Sequence, residues 1–268
     1  MLGITRFLKL ALFTASACAV APTAFAQAFD VVRLYGASRA DDGGTVGAAV
    51  IAGRKYQGSD ERRTLLVPLL DYQWKNGWFV GTTNGLGYDF SKRPEMNYGV
   101  RLTADLGRNE SRSTALRGLG NVDARPEIGV FYNYSLSPSL ALTSSLRYGS
   151  GNERNGMVVD IGAVYSMVLA TPWRLGLGVS ATVANANYMQ TYFGVTPAQS
   201  ARSGYAPYTA SAGLRDVRAS AALTYSVTPR VAITTILSAS SLQGDAKGSP
   251  ITRKRSTATG IVSAFYAF

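Results

Sequence analysis

Carboxylate, hydroxyl and basic side chains are the groups that could do chemistry in this chain, because the sequence contains no histidine. Histidine is the usual base of serine hydrolases and the commonest ligand of transition metals. Paired carboxylates occur at Asp41-Asp42 and Asp60-Glu61, but each pair stands in a turn-like stretch beside glycine or serine, as solvated loop residues do. We therefore expect no catalytic residue, no metal site and no cofactor, and the chain is not expected to be an enzyme.

Other charged residues occur where apolar and small polar residues alternate. From Trp173 to Val183, every second residue is apolar, and the residues between are arginine, glycine, serine or threonine. Such alternation predicts a strand with one apolar and one polar face. The charged residues predicted on the polar faces are Arg101, Asp105, Arg147, Asp160, Arg174, Asp216 and Arg218. They could tune ion passage or pair with one another across the lumen. Pairing is our preferred interpretation.

The alternating segments run for about ten residues, which is the length of a tilted strand that spans a membrane. Small residues on the polar faces suit a narrow lumen, and a spanning sheet must close to pair its backbone groups. We predict an all-β fold, a closed antiparallel transmembrane barrel of about 12 strands, with ten as the alternative. The predicted strands are 28–37, 45–56, 63–74, 78–90, 97–106, 126–136, 139–149, 157–168, 173–186, 214–226, 230–242 and 257–268.

The first 26 residues differ from the rest and predict a signal peptide. Arg6 and Lys9 precede an apolar run over 10–20, and Ala24-Phe25-Ala26 matches a small-x-small cleavage site. The predicted domains are a signal peptide, 1–26, and an outer-membrane barrel, 27–268. Lipidation at Cys18 is a weaker alternative.

Loop lengths orient the predicted barrel. The short turns "LSPS", "LATP" and "VTPR" fall on the periplasmic side, and the long connections 107–125, 187–213 and 243–256 fall outside, as expected for outer-membrane barrels. This scheme uses 28–37 as the first strand, partly to keep an even count, and makes Lys75-Asn76-Gly77 a very short outer loop.

The chain ends in "IVSAFYAF", with Val262, Tyr266 and Phe268 on one face of the last strand. A terminal phenylalanine on such a strand resembles the signal that the bacterial barrel assembly machinery reads in outer-membrane proteins. The predicted location is the outer membrane of a Gram-negative bacterium. The net charge of +11 fits contact with anionic lipid and lipopolysaccharide, and no nucleic-acid partner is expected.

One long stretch, "YMQTYFGVTPAQSARSGYAPYTASAGLRDV" at 188–217, resembles the corresponding segment of the MipA/OmpV family of outer-membrane proteins. Further similar segments are "YQGSDERR" at 56–63, "LRGLGNVDARPEIGVFYNY" at 116–134 and "LQGDAKGSPI" at 242–251. The residues that carry the resemblance in the long loop are Tyr192, Phe193, Gly194, Val195, Gly213, Leu214, Arg215 and Asp216.

The resemblance implies a non-enzymatic scaffold that brings together a lytic transglycosylase and a murein synthase, and so links peptidoglycan hydrolysis to synthesis. Other relatives resemble porins or adhesins. A small-solute channel, and an adhesin that acts through loops 107–125 and 187–213, therefore stay open as alternatives.

Overall fold

The structure is a computed structural model that describes residues 42–268. Twelve strands run through these residues, and each pairs with its neighbours in antiparallel fashion. They are β1 (Gly43–Arg54), β2 (Arg62–Gln73), β3 (Trp78–Gly81), β4 (Gly85–Asp89), β5 (Met96–Asp105), β6 (Arg125–Ser135), β7 (Leu140–Ser150), β8 (Gly156–Ala170), β9 (Trp173–Ala184), β10 (Gly213–Ser226), β11 (Val231–Leu242) and β12 (Ser256–Ala267).

The sheet closes on itself between its first and last strands. β1 pairs with β12 from Thr45 opposite Ala267 to Ala52 opposite Gly260. Closure lets the backbone groups along this seam find partners inside the sheet, which is the requirement for crossing lipid. The predicted closed antiparallel barrel of 12 strands is confirmed.

The count of 12 arises from a different set of strands than the sequence suggested. The predicted strand 78–90 is two strands, β3 and β4, joined by a turn at 82–84, and the predicted first strand, 28–37, lies outside the described residues. Since β1 starts beside the end of β12, Lys75-Asn76-Gly77 lies at the same end as Phe268. The prediction of a short outer loop there was wrong. The turn at 82–84 makes two strands where one was predicted, so the strands before it run in the opposite direction to that predicted.

The β3–β4 hairpin is too short to cover its neighbours. β2 pairs with β3 only from Asp71 to Gln73, and β4 pairs with β5 only as far as Leu102. Within 42–268, the segment 62–69 of β2 and the segment 103–105 of β5 therefore have no strand neighbour on the hairpin side, an opening that we call the hairpin gap. Pro68 lies on this uncovered edge, where its missing amide hydrogen does not break a ladder.

The outer surface of the barrel is apolar, with an aromatic belt near one end. Leu66, Ile128 and Leu237 are among its most exposed large side chains, at 74%, 68% and 65%. At the end with the short turns, aromatic rings pair along the rim: Tyr72 with Trp74, Trp78 with Tyr88, and Trp173 with Tyr225. Lipid-facing apolar side chains with an aromatic girdle are the surface expected of an outer-membrane barrel.

Inside the barrel, apolar side chains fill the lumen at mid-height. Ile51, Ile236 and Ile261 point inward from three neighbouring strands and are at most 1% exposed. They form one buried cluster with Ala49, Leu69, Val164 and Ala222. Because water does not reach these isoleucines, the inward side chains of β1, β2, β8, β10, β11 and β12 are packed together at this height.

The long connections form a cap over the other end. They contain α1 (Ala186–Phe193), α2 (Pro197–Ser203), α3 (Gly244–Gly248) and two 3-10 turns, Glu110–Arg112 and Thr114–Leu116. The side chain of Asn185 caps α1, and Thr196 and Gln199 form a capping box on α2. Within the described part of the chain, no helix is both long and apolar enough to cross a membrane.

Candidate functional site

A cluster of buried charges lies on the lumen wall beneath the cap. Arg147 on β7 lies 3.4 Å from Glu127 on β6 and 3.0 Å from Asp160 on β8. Thr182 on β9 donates a hydrogen bond of 2.8 Å to Asp160. The strand alternation turns all four side chains inward, where each buried carboxylate gains a charged or hydroxyl partner.

A second group of charges connects the wall to the cap. The register of β10 against β9 shifts between Leu214 and Asp216, so the consecutive residues Arg215 and Asp216 are both buried. Arg215 Nε donates to Asp216 at 2.6 Å, and its Nη1 donates to the Tyr188 hydroxyl of α1 at 2.9 Å. The guanidinium also lies 5.4 Å from the centre of the Tyr188 ring. This bulge therefore holds α1 against the barrel.

The other end of α1 is fixed by a tyrosine and an arginine. The Tyr192 hydroxyl donates a hydrogen bond to Asp105 at the end of β5, and Arg108 Nη1 donates to the Tyr192 carbonyl at 2.7 Å. Burial raises the pKa of Tyr192, and the neighbouring Asp105 carboxylate raises it further. The phenol therefore stays neutral and remains a donor.

Between the cap and the strands lies a basic cavity, which we call the arginine cavity. Its volume is about 80 Å³, and its cationic lining residues are Arg54, Lys55, Arg108, Arg112 and Arg218. Asp216 is the one acidic residue among the described residues that line it. Hydroxyl groups of β11 and β12 also line it.

The structure places the lumen charges expected from the sequence in three different settings. Asp105, Arg147, Asp160, Asp216 and Arg218 lie in the charged layer beneath the cap. Arg101 also points inward but lies nearer to the short-turn end. Its Nη2 donates to the Ser145 hydroxyl at 2.6 Å, and its guanidinium carbon lies 5.7 Å from the Phe131 ring centre. Arg174 lies near the short-turn end and is exposed.

The terminal residues proposed as an assembly signal lie on the lipid face. Val262, Tyr266 and Phe268 are 52%, 40% and 61% exposed. The backbone of Phe268 exchanges two hydrogen bonds of 3.0 Å with Gly44, so the last residue also joins the seam with β1.

The residues that carry the family resemblance lie at the two ends of one long connection. Tyr192, Phe193, Gly194 and Val195 are buried at the end of α1, and Gly213, Leu214, Arg215 and Asp216 begin β10. The Val195 backbone pairs with that of Tyr208, which folds the connection back on itself. These segments build the cap rather than a free loop.

Sequence reasoning missed several residues of this site, among them Glu127, Arg108 and Tyr188. Glu127 alternates with Gly129 and Phe131, and that alternation could have placed it in the lumen. Arg108 and Tyr188 lie in connections without periodicity, and no sequence signal pointed to their burial. In the described range 42–268, no group of three or more Asp, Glu or Cys side chains could hold a metal ion.

A closed barrel with a lipid-facing surface and an aromatic girdle defines this chain as an outer-membrane β-barrel protein. A family model described as "MltA-interacting protein MipA" matches residues 46–268, and the chain belongs to this family. No curated protein matches the sequence.

Solved outer-membrane barrels resemble the chain at low identity. The NanC porin is 10% identical, with 82% of this chain and 98% of that chain covered and a TM-score of 0.42. An outer membrane channel from Pseudomonas putida F1 is 12% identical, with 85% and 94% covered and a TM-score of 0.45. The outer membrane channel DcaP of Acinetobacter baumannii is 9% identical, with 85% and 96% covered and a TM-score of 0.39.

Proposed function

We propose that this protein is a non-enzymatic scaffold of the outer membrane that links murein hydrolysis to murein synthesis. The observation that carries the proposal is the packed lumen, in which Ile51, Ile236 and Ile261 are at most 1% exposed. A barrel that is filled with its own side chains offers its surfaces, rather than a water path, for function. The family description, "MltA-interacting protein", favours a lytic transglycosylase as one partner.

A basic surface at the short-turn end supports a periplasmic contact. Lys75, Lys92 and Arg93 are exposed on two adjacent turns, and we call them the basic turn patch. The Asp89 amide donates to the Gly77 carbonyl at 2.9 Å and holds these turns together. Short turns lie on the periplasmic side of outer-membrane barrels, so the patch faces the murein layer. A partner with an acidic surface would complement it.

The test is co-purification of a lytic transglycosylase and of a murein synthase with the full chain, folded in detergent. Reversing the basic turn patch to glutamate at all three positions should reduce capture at least tenfold, because like charges then face each other. The matched control reverses Arg202, Lys247 and Lys254, three exposed cations at the capped end. Equal capture by both triple variants would contradict the proposal.

Planar bilayer recordings separate the scaffold from the small-solute channel. A packed lumen predicts no stepwise ion conductance from the purified protein. Regular conductance steps that disappear when the protein is heat-denatured would favour the channel.

A binding assay tests the adhesin. Loss of binding to host matrix on deletion of 107–125 or 187–213 would favour the adhesin.

A further inference from the structure

The arginine cavity holds more positive charge than its partners neutralise. Its one acidic lining residue, Asp216, already lies 2.6 Å from Arg215 and 3.4 Å from Arg218. Lys55 pairs with Glu61 at 2.5 Å. Among the described residues, Arg54, Arg108 and Arg112 have no carboxylate within ion-pair distance. The surplus is therefore three guanidinium groups around one cavity.

Arg108 is the most buried of these cations. Arg108 is 5% exposed, and its Nη1 donates to the Tyr192 carbonyl. Its buried Nε has no hydrogen-bond partner among the described residues. Burial lowers the pKa of Arg108, since the charged form loses its contact with water. An unpaired buried charge is destabilising, and an anion in the cavity would relieve that cost.

Arg112, in the same connection as Arg108, is also disfavoured as a cation. Burial lowers the pKa of Arg112, and repulsion from Arg63 lowers it further. Arg63 and Arg62 line an adjoining cavity that shares Arg54 with the first. Positive charge therefore continues from one cavity into the next.

The strand wall of the cavity also supplies neutral hydroxyl groups. Ser238 and Ser240 on β11, with Thr257 and Thr259 on β12, line the cavity between Arg54 on β1 and Arg218 on β10. Guanidinium groups bind phosphate oxygens through two parallel hydrogen bonds, and hydroxyl groups donate further bonds to the same oxygens. Several arginines with hydroxyl groups favour a group with more than one negative charge.

We propose that the arginine cavity is a binding site for a phosphate group, carried either by a soluble phosphate compound or by lipopolysaccharide. This site is independent of the scaffold function, since it lies beneath the cap, whereas the basic turn patch lies at the opposite end of the barrel. A variant that loses phosphate binding can therefore still be tested for capture of murein enzymes, and the reverse also holds.

Calorimetric titration of the detergent-folded full chain with pyrophosphate tests the site. Wild-type protein should bind, and binding should weaken as sodium chloride screens the charges. Arg112→Gln should weaken binding about tenfold, the usual effect of losing one hydrogen bond to a charged group. Arg117→Gln is the matched control, because Arg117 lies in the same connection but is exposed. Arg108→Gln is the second variant, with heat-modifiable gel migration as the check on its folding.

Competition identifies the source of the phosphate. Displacement of pyrophosphate by purified lipopolysaccharide micelles would show that a lipid phosphate enters the cavity. Displacement by a sugar phosphate without displacement by the micelles would show a soluble ligand. Absence of pyrophosphate binding, or wild-type affinity in both Arg108→Gln and Arg112→Gln, would overturn the proposal.

Discussion

At the scale of single residues, the direction of each side chain decides what the barrel can tolerate. Leu177 and Gly178 are neighbours on β9. Leu177 is 42% exposed on the lipid face, whereas Gly178 lies on the face of the strand that is turned toward the lumen. The buried charges obey the same rule, because Arg147 faces two carboxylates inside the barrel. Arg147 is stable inside the barrel because the fold supplies these two carboxylates.

Replacing Leu177 by arginine is expected to impair folding into the membrane. Near the bilayer midplane, arginine on the lipid face costs about 2–4 kcal/mol. The measurement is the fraction of heat-modifiable protein after refolding into lipid vesicles, with Leu177→Ala as the control that keeps the face apolar. Equal folding of the two variants would mean that this face does not meet lipid.

At the scale of secondary-structure elements, the hairpin is held by its turn. Gly85 has a φ of +75°, and a Cβ at this position would lie 2.0 Å from the Leu102 carbonyl oxygen of β5. Any side chain would push the hairpin away from β5. The turn therefore needs glycine for two reasons, its left-handed backbone and its close approach to the next strand.

The substitution Gly85→Ala should destabilise the barrel more than Gly204→Ala does. Gly204 has nearly the same φ, +77°, but nothing lies within 4 Å of the Cβ that it would gain. Gly204→Ala should therefore cost only the left-handed strain, about 1–2 kcal/mol, whereas Gly85→Ala adds a backbone clash. Urea unfolding midpoints in lipid vesicles measure both. A smaller shift for Gly85→Ala than for Gly204→Ala would contradict the geometry.

Much of the strand layout follows from the sequence, but the hairpin and the cap do not. Alternation from Trp173 to Val183 sets both faces of β9, because neighbouring side chains of a strand point in opposite directions. The turn at 82–84 interrupts a stretch that looks like one strand, and its geometry depends on the contact of Gly85 with Leu102. Arg108 and Tyr188 are buried by long-range contacts of the cap, which no local pattern encodes.

At the scale of the whole molecule, closure depends on the seam between β1 and β12. Phe268 contributes its backbone to this seam through Gly44, while its ring lies 6.2 Å from that of Tyr72. The side chain is therefore one member of a girdle, and its packing alone is a small part of the fold. We propose that its larger role is recognition by the assembly machinery.

Changing Phe268 to aspartate should leave secretion intact but reduce surface-exposed, heat-modifiable protein severalfold in cells. The backbone bonds to Gly44 can still form, so refolding of the purified variant into vesicles should stay near that of the wild type. Tyr266→Phe, which keeps an aromatic ring, is the control. Wild-type surface levels of Phe268→Asp would show that the terminal ring is not an assembly signal.

The short hairpin gives the protein one side that is thinner than the others. β3 has 4 residues and β4 has 5, so the hairpin rises roughly 13–17 Å, against about 25 Å for the apolar band of such barrels. Above it, the backbone amides along this edge of β2 have no strand partner among the described residues, and lipid does not tolerate unpaired amides. We therefore expect the bilayer to thin locally beside the hairpin gap, so that headgroups and water reach the uncovered edge. Local thinning at one position on the circumference makes that side of the barrel different from the others, so neighbouring lipids and proteins can bind it selectively.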